Sequence, residues 1–143
     1  MTDTILVAIE DDRDRMDPVI DQAAAIASGL EAAVVLVHVF SEARFDALLG
    51  EIDAEATSPD ALARQNETVR EAAAAMRDRG LDIEIYGAVG DPAQELLALI
   101  DAHDIDHVFL GSRKRSPTGK AVLGSVAQRI ILSSGRPCTV VAG

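Results

Sequence analysis

The stretch Gly111-Ser112-Arg113-Lys114-Arg115-Ser116-Pro117-Thr118-Gly119-Lys120-Ala121-Val122-Leu123-Gly124-Ser125 gathers glycine, small hydroxyls and positive charge. It follows an apolar run, Val108-Phe109-Leu110, that reads as a buried strand, and precedes a segment from Val126 to Ser134 that reads as a helix. A strand that passes through such a loop into a helix start suits an anion, phosphate above all. The free N–H groups and the dipole at a helix N-terminus favour negative charge, and glycine lets it approach. Ser125 is the predicted cap of that helix, and Gln128 three residues on completes a capping box. The plainer reading is a solvated loop whose charges offset an acidic remainder.

Charge distribution favours the anion site. The 143 residues include 24 acids and 13 basic residues, for a net charge of -11. No Asp or Glu follows Asp106, whereas Arg113, Lys114, Arg115, Lys120, Arg129 and Arg136 do. An acidic chain that concentrates its positive charge in one loop is addressing an anion there. The same acidity argues against nucleic acid or an anionic membrane as a partner. Lys114 and Lys120 are the only lysines, and an acid-rich, lysine-poor surface resembles those of proteins from salt-loving microbes.

Other reactive side chains carry weaker signals. His38 lies in an apolar run and reads as a packed, hydrogen-bonded core residue. His103 and His107 flank Asp104 and Asp106 without the spacing of a metal site. The single Cys138 excludes an internal disulfide and suits a reducing cytoplasm. Neither a Gly-x-Ser-x-Gly elbow nor a complete P-loop is present, since Gly119-Lys120 lacks the following Ser or Thr. The pattern points to binding rather than catalysis. Met1-Thr2-Asp3-Thr4 is not basic, so no signal peptide is expected, and no apolar run is long enough to span a bilayer.

The elements that would position the loop alternate. Thr4 to Ile9 reads as a central strand, followed by the acidic turn Glu10-Asp11-Asp12. Asp17-Pro18 is the predicted start of a helix that buries Val19, Ala23, Ile26 and Leu30 and stops at Gly29. Ala33 to Phe40 reads as a second buried strand, and Ser41 to Thr57 as either a short helix or a flap. One helix is predicted from Ser58-Pro59 to about Arg79, with Leu62, Val69, Ala73 and Met76 inward. Leu81 to Tyr86 alternates strictly, as a strand near a sheet edge does. A helix from Asp91-Pro92, the strand His107 to Leu110, the helix burying Val126, Ile130 and Ile131, and the strand Cys138 to Val141 complete the chain. The order βαβαβαβαβ implies one α/β domain with an open, mostly parallel sheet and helices on both faces. Ligands of such sheets bind at the carboxyl ends of the strands, where Glu10, Phe40, Gly87 to Gly90 and Gly111 fall.

This combination resembles the universal stress protein family over essentially the whole chain, residues 1–143. The resemblance rests on Ile5-Leu6-Val7-Ala8-Ile9, Leu36-Val37-His38-Val39, Gly90-Asp91-Pro92-Ala93-Gln94-Glu95-Leu96 and the closing loop. The family motif is Gly, two residues, Gly, nine residues, then Gly with Ser or Thr. It aligns as Gly111, Ser112-Arg113, Lys114, nine residues and Gly124-Ser125. The resemblance implies a Rossmann-like sheet of five strands in the order 3-2-1-4-5. It also implies a homodimer that pairs the last strands through Val140 and Val141, and an ATP, ADP or AMP ligand, with Mg2+ among its expected companions. The implied nucleotide site comprises Ala8, Ile9, Glu10, Val39, Gly111, Ser112, Arg113, Lys114, Lys120, Gly124, Ser125 and Val126, with Val39 meeting adenine through its backbone.

Two departures bear on that implication. Lys114 replaces the second motif glycine, and Glu10-Asp11-Asp12 stands where the family has Asp followed commonly by Gly-Ser. Three acids beside a polyphosphate repel it unless a divalent cation intervenes. The expected function is a cytoplasmic, nucleotide-binding, homodimeric stress-response module. The alternatives are a stress protein that acts through protein contacts without nucleotide, and a weak ATP hydrolase.

Overall fold

The computed structural model describes residues 3–51, 58–111, 114–115 and 121–141, with backbone alone at 114, 115, 121 and 122. Five strands, β1 (Thr4–Ala8), β2 (Ala33–Phe40), β3 (Ile83–Val89), β4 (His107–Gly111) and β7 (Cys138–Val141), form one parallel sheet in the order β3-β2-β1-β4-β7. Counting only these strands, the order is the expected 3-2-1-4-5. A short antiparallel ribbon, β5 (Lys114–Arg115) with β6 (Ala121–Val122), stands apart within the basic loop.

Strand alternation divides the core into two layers. Ile5, Val7, Ile9, Val34, Leu36 and Phe109 face the helices α1 (Arg13–Leu30) and α4 (Glu67–Arg77). Leu6, Val35, Val37, Val108 and Leu110 face α5 (Pro92–Ala102) and α6 (Ser125–Ser133). Both sides of β1, β2 and β4 are therefore dry, which is why these strands read as continuous apolar runs. Two further helices, α2 (Glu42–Glu51) and α3 (Pro59–Gln65), lie beyond the carboxyl end of β2, so six helices are described where four were expected. The start of α3 covers the outer edge of β3, and the Asp60 carboxylate accepts the Gly87 N–H at 2.8 Å. The strand edge is thereby covered at Gly87.

Several boundaries differ from the sequence expectation. α1 begins at Arg13, with Asp12 as its cap accepting from Arg15 N, and Pro18 lies inside the helix rather than at its start. Pro18 is only in the second turn, so its missing N–H removes a single early helical bond. The helix ends at Leu30, not Gly29, on Glu31 in a left-handed conformation (φ 54). Leu30 is 51% exposed and Ile131 40%, so neither joins the core as expected. The long helix predicted from residue 58 is two, broken at Asn66. Asn66 is extended there, and its side chain accepts from Val69 N to cap α4. α6 is capped by Gly124 with no side-chain cap bond, and Ser125 is its first residue. Gln128 does not complete a capping box; its amide instead donates to the Leu123 carbonyl. The segment 42–51 is helix, which resolves the first part of the undecided connection, and 52–57 lie outside the described residues.

Tyr86, near the sheet edge on β3, stacks on His103 and donates its hydroxyl to Glu84 Oε2 at 2.8 Å. That bond, with partial burial and the carboxylate charge, raises the phenol above its ordinary 10.0. The chain has one Tyr and no Trp, so phenolate absorbance reports this residue alone. Glu84→Ala is expected to move the midpoint of an ultraviolet titration downward. An unchanged midpoint would mean that the bond does not hold in solution.

Candidate binding site

The order of the sheet reverses direction between β1 and β4, and a crevice of about 240 Å³ opens there at the carboxyl ends of the strands. Its apolar walls come from both sides of the switch: Val37, Leu96, Leu110 and Ala127, all nearly inaccessible to solvent. The Asp91 carboxylate caps α5 by accepting from Gln94 N and bonds Arg129 of α6, so the two helices that flank the opening are tied together.

Seven of the residues expected to bind nucleotide line this crevice: Ala8, Ile9, Glu10, Val39, Gly111, Gly124 and Val126. Ser125 stands exposed at the adjoining start of α6. Ser112, Arg113 and Lys120 lie outside the described residues, and Lys114 is placed by its backbone in β5. A Cβ added at Gly111 would meet Val19, Glu10 and Arg15 no closer than 3.4 Å, so the fold itself has room for alanine there.

Two acids of the turn are held by bonds within the fold. Asp12 is occupied as the α1 cap, with Arg15 Nε 3.8 Å from its carboxylate. Asp11 Oδ1 accepts from Asn66 Nδ2 at 2.9 Å, which ties the crevice to the joint between α3 and α4. Glu10 differs from both: its Oε2 is buried and has no hydrogen-bond partner among the described residues. An orphaned buried acceptor carries a desolvation cost that a ligand donor or a cation relieves.

His38 was expected to be a packed, bonded core residue, and it is. It is 5% exposed, its Nδ1–H donates to the Ile9 carbonyl at 2.8 Å, and its ring meets Phe40 edge-on. Its Nε2 lies 3.5 Å from Asp11 Oδ1, and both residues also line the crevice. That His38 borders the site follows from the strand register and not from any local pattern in the sequence.

The backbone of β2 completes the geometry. β2 pairs with β1 as far as Ala8↔Val37, and a last bond runs from Ile9 N to Val37 O at 2.8 Å. β2 and β3 stay paired through Phe40↔Val89. Backbone groups alternate along a strand, so Val39 turns its N–H and C=O to the same side as Val37, toward β1. β1 has ended there, and the crevice lies in its place. An adjacent donor and acceptor thus face an apolar slot, an arrangement that recognises a planar heterocycle by one edge.

A sequence model of the Universal stress protein family matches residues 1–142. A universal stress protein of Mycolicibacterium smegmatis is 39% identical over 83 residues, a match that spans 57% of this chain and 64% of that protein. A solved universal stress protein from Archaeoglobus fulgidus has the same fold with a TM-score of 0.74 at 28% identity, over 98% of both chains. A second Archaeoglobus fulgidus structure, a universal stress protein in complex with dAMP, gives a TM-score of 0.69 at 23% identity over 96% of each chain.

Proposed function

This chain belongs to the universal stress protein family, and we propose that it binds an adenine nucleotide with the purine in the crevice at the β1–β4 switch. The observation that carries this reading is the Val39 backbone, whose N–H and C=O face an apolar slot left open where β1 ends. Adenine offers N1 as acceptor beside the N6 amino donor, which matches that pair. Guanine offers N1–H beside O6, the reverse order, and would leave both backbone groups opposed to like groups. The relative that holds dAMP supports the same ligand class.

The phosphates would lie along the loop from Gly111 to Ser125, against the start of α6 and the basic residues Arg113, Lys114 and Lys120. Asp12 is engaged as the α1 cap, which leaves Glu10 and Asp11 as the carboxylates that line the crevice. A divalent cation there would help ATP more than AMP, because ATP brings more charge to the same acids. The last strand, β7, is a sheet edge carrying the half-buried Val140 and Val141. We place a homodimer contact there, which sedimentation velocity tests.

Calorimetric titration with AMP, ATP and GMP, with and without Mg2+ and at high salt, tests the nucleotide reading. Adenine nucleotides are expected to bind and GMP to bind at least about tenfold more weakly, the size of one mispaired hydrogen-bonding edge. Absence of heat with both AMP and ATP under all these conditions would overturn it and leave a protein that acts through contacts with other proteins.

A further inference from the structure

We propose that His38 is a positioning residue that holds the ligand slot open by diverting the Ile9 carbonyl from Val39. In a parallel ladder the bonds repeat every second residue. Ile9 N donates to Val37 O, so one further step would join the Val39 N–H to the Ile9 carbonyl and zip β1 onto β2. That bond is not formed. The Ile9 carbonyl is instead taken by His38 Nδ1 at 2.8 Å, from the side chain of the residue between Val37 and Val39.

The direction of the diversion follows from strand alternation. Val37 and Val39 turn their side chains toward the α5 and α6 layer, so His38 turns its ring toward the α1 layer. The bond to His38 therefore draws the end of β1 toward α1, away from the crevice side of β2. Burial keeps this bond from competing with water, since His38 is 5% exposed, and the ring is braced by Phe40 at 4.5 Å between centroids. Asp11, two residues beyond Ile9, lies against the other ring nitrogen and is itself anchored by Asn66. The Ile9–Asp11 turn is thus gripped at both ends on the α1 face, and the Val39 N–H is left without its sheet partner.

The consequence for ligand binding rests on the proposed nucleotide site, but the structural claim does not. Amide hydrogen exchange on the full-length, ligand-free protein separates the two. The Val39 amide is expected to exchange at least about tenfold faster than the Val37 amide in wild type. His38→Phe keeps the ring and its packing but lacks the donor. There the Ile9 carbonyl is released, the ladder extends by one bond, and Val39 exchange is expected to slow by at least about tenfold. His38→Asn, whose Nδ2 has the reach of Nδ1, is expected to restore fast exchange. His38→Leu repeats the donor loss should the Phe variant fold poorly.

In the same variants AMP affinity is expected to fall at least about tenfold with Phe and to stay within about threefold with Asn. A Val39 amide already protected in wild type, or unchanged by loss of the donor in a folded variant, would overturn the inference. A wild-type protein that fails to bind AMP would defeat the proposed function while leaving the exchange comparison to decide the role of His38.

Discussion

Gly87→Val is expected to destabilise the fold by about 3 kcal/mol or more, a lowering of the melting temperature by roughly 10 °C. The reason is a backbone approach. A Cβ at residue 87 would lie 2.0 Å from the Pro59 carbonyl oxygen and 2.4 Å from its carbon, with Ala63 Cβ at 3.1 Å. No rotamer relieves a clash with main chain, so either the start of α3 or the end of β3 must move. Movement of α3 would break the Asp60 bond to the Gly87 N–H and expose the edge of β3. It would also shift Asn66, whose amide holds Asp11 at the crevice, so the damage reaches the binding site. Gly87→Ala adds only the Cβ and should already cost more than about 1 kcal/mol in urea unfolding. A loss below about 0.5 kcal/mol for alanine would mean that α3 does not press on β3 as described.

That contact illustrates what the sequence could and could not convey. Local patterns carried the architecture. Apolar runs of strand length separated by helical periodicity gave five parallel strands, and strict alternation from Leu81 to Tyr86 placed β3 at an edge. The strand ends then located the crevice, and a family motif supplied its membership. What stayed hidden depends on partners distant in the chain. Gly87 resembles any glycine until Pro59 is laid against it. The positions of Leu62, Val69, Ala73 and Met76 run in phase, so nothing local divides that helix. The break at Asn66 comes with a cap on α4 and a bond to Asp11, fifty-five positions earlier. Asp12 and Asp17 carry the same capping chemistry, and Pro18 pointed to the wrong one because proline favours a helix start. Glu31 takes the left-handed position expected of Gly29, since the chain must reverse one residue later to enter β2.

Val39→Pro is expected to weaken AMP binding by about 10- to 100-fold while leaving most of the sheet intact. The substitution deletes one backbone N–H and adds no charge. Within β2 the N–H of Val39 faces the side that β1 has vacated, whereas β3 bonds to the groups of His38 and Phe40, including the Phe40 carbonyl that accepts from Gly90 N at 2.9 Å. Proline is tolerated where its absent donor points away from a paired strand, so the β2–β3 ladder has no bond to lose. A ligand edge placed against Val39 loses its donor and leaves a buried acceptor unpaired, which costs more than the bond alone is worth. Val39→Ala provides the control, because it trims the side chain, keeps the backbone and should hold affinity within a few-fold. Equal binding by the proline and alanine variants, both with native-like unfolding, would place the purine elsewhere in the crevice. Selective loss with proline would tie recognition to the backbone of β2 where it runs on past β1.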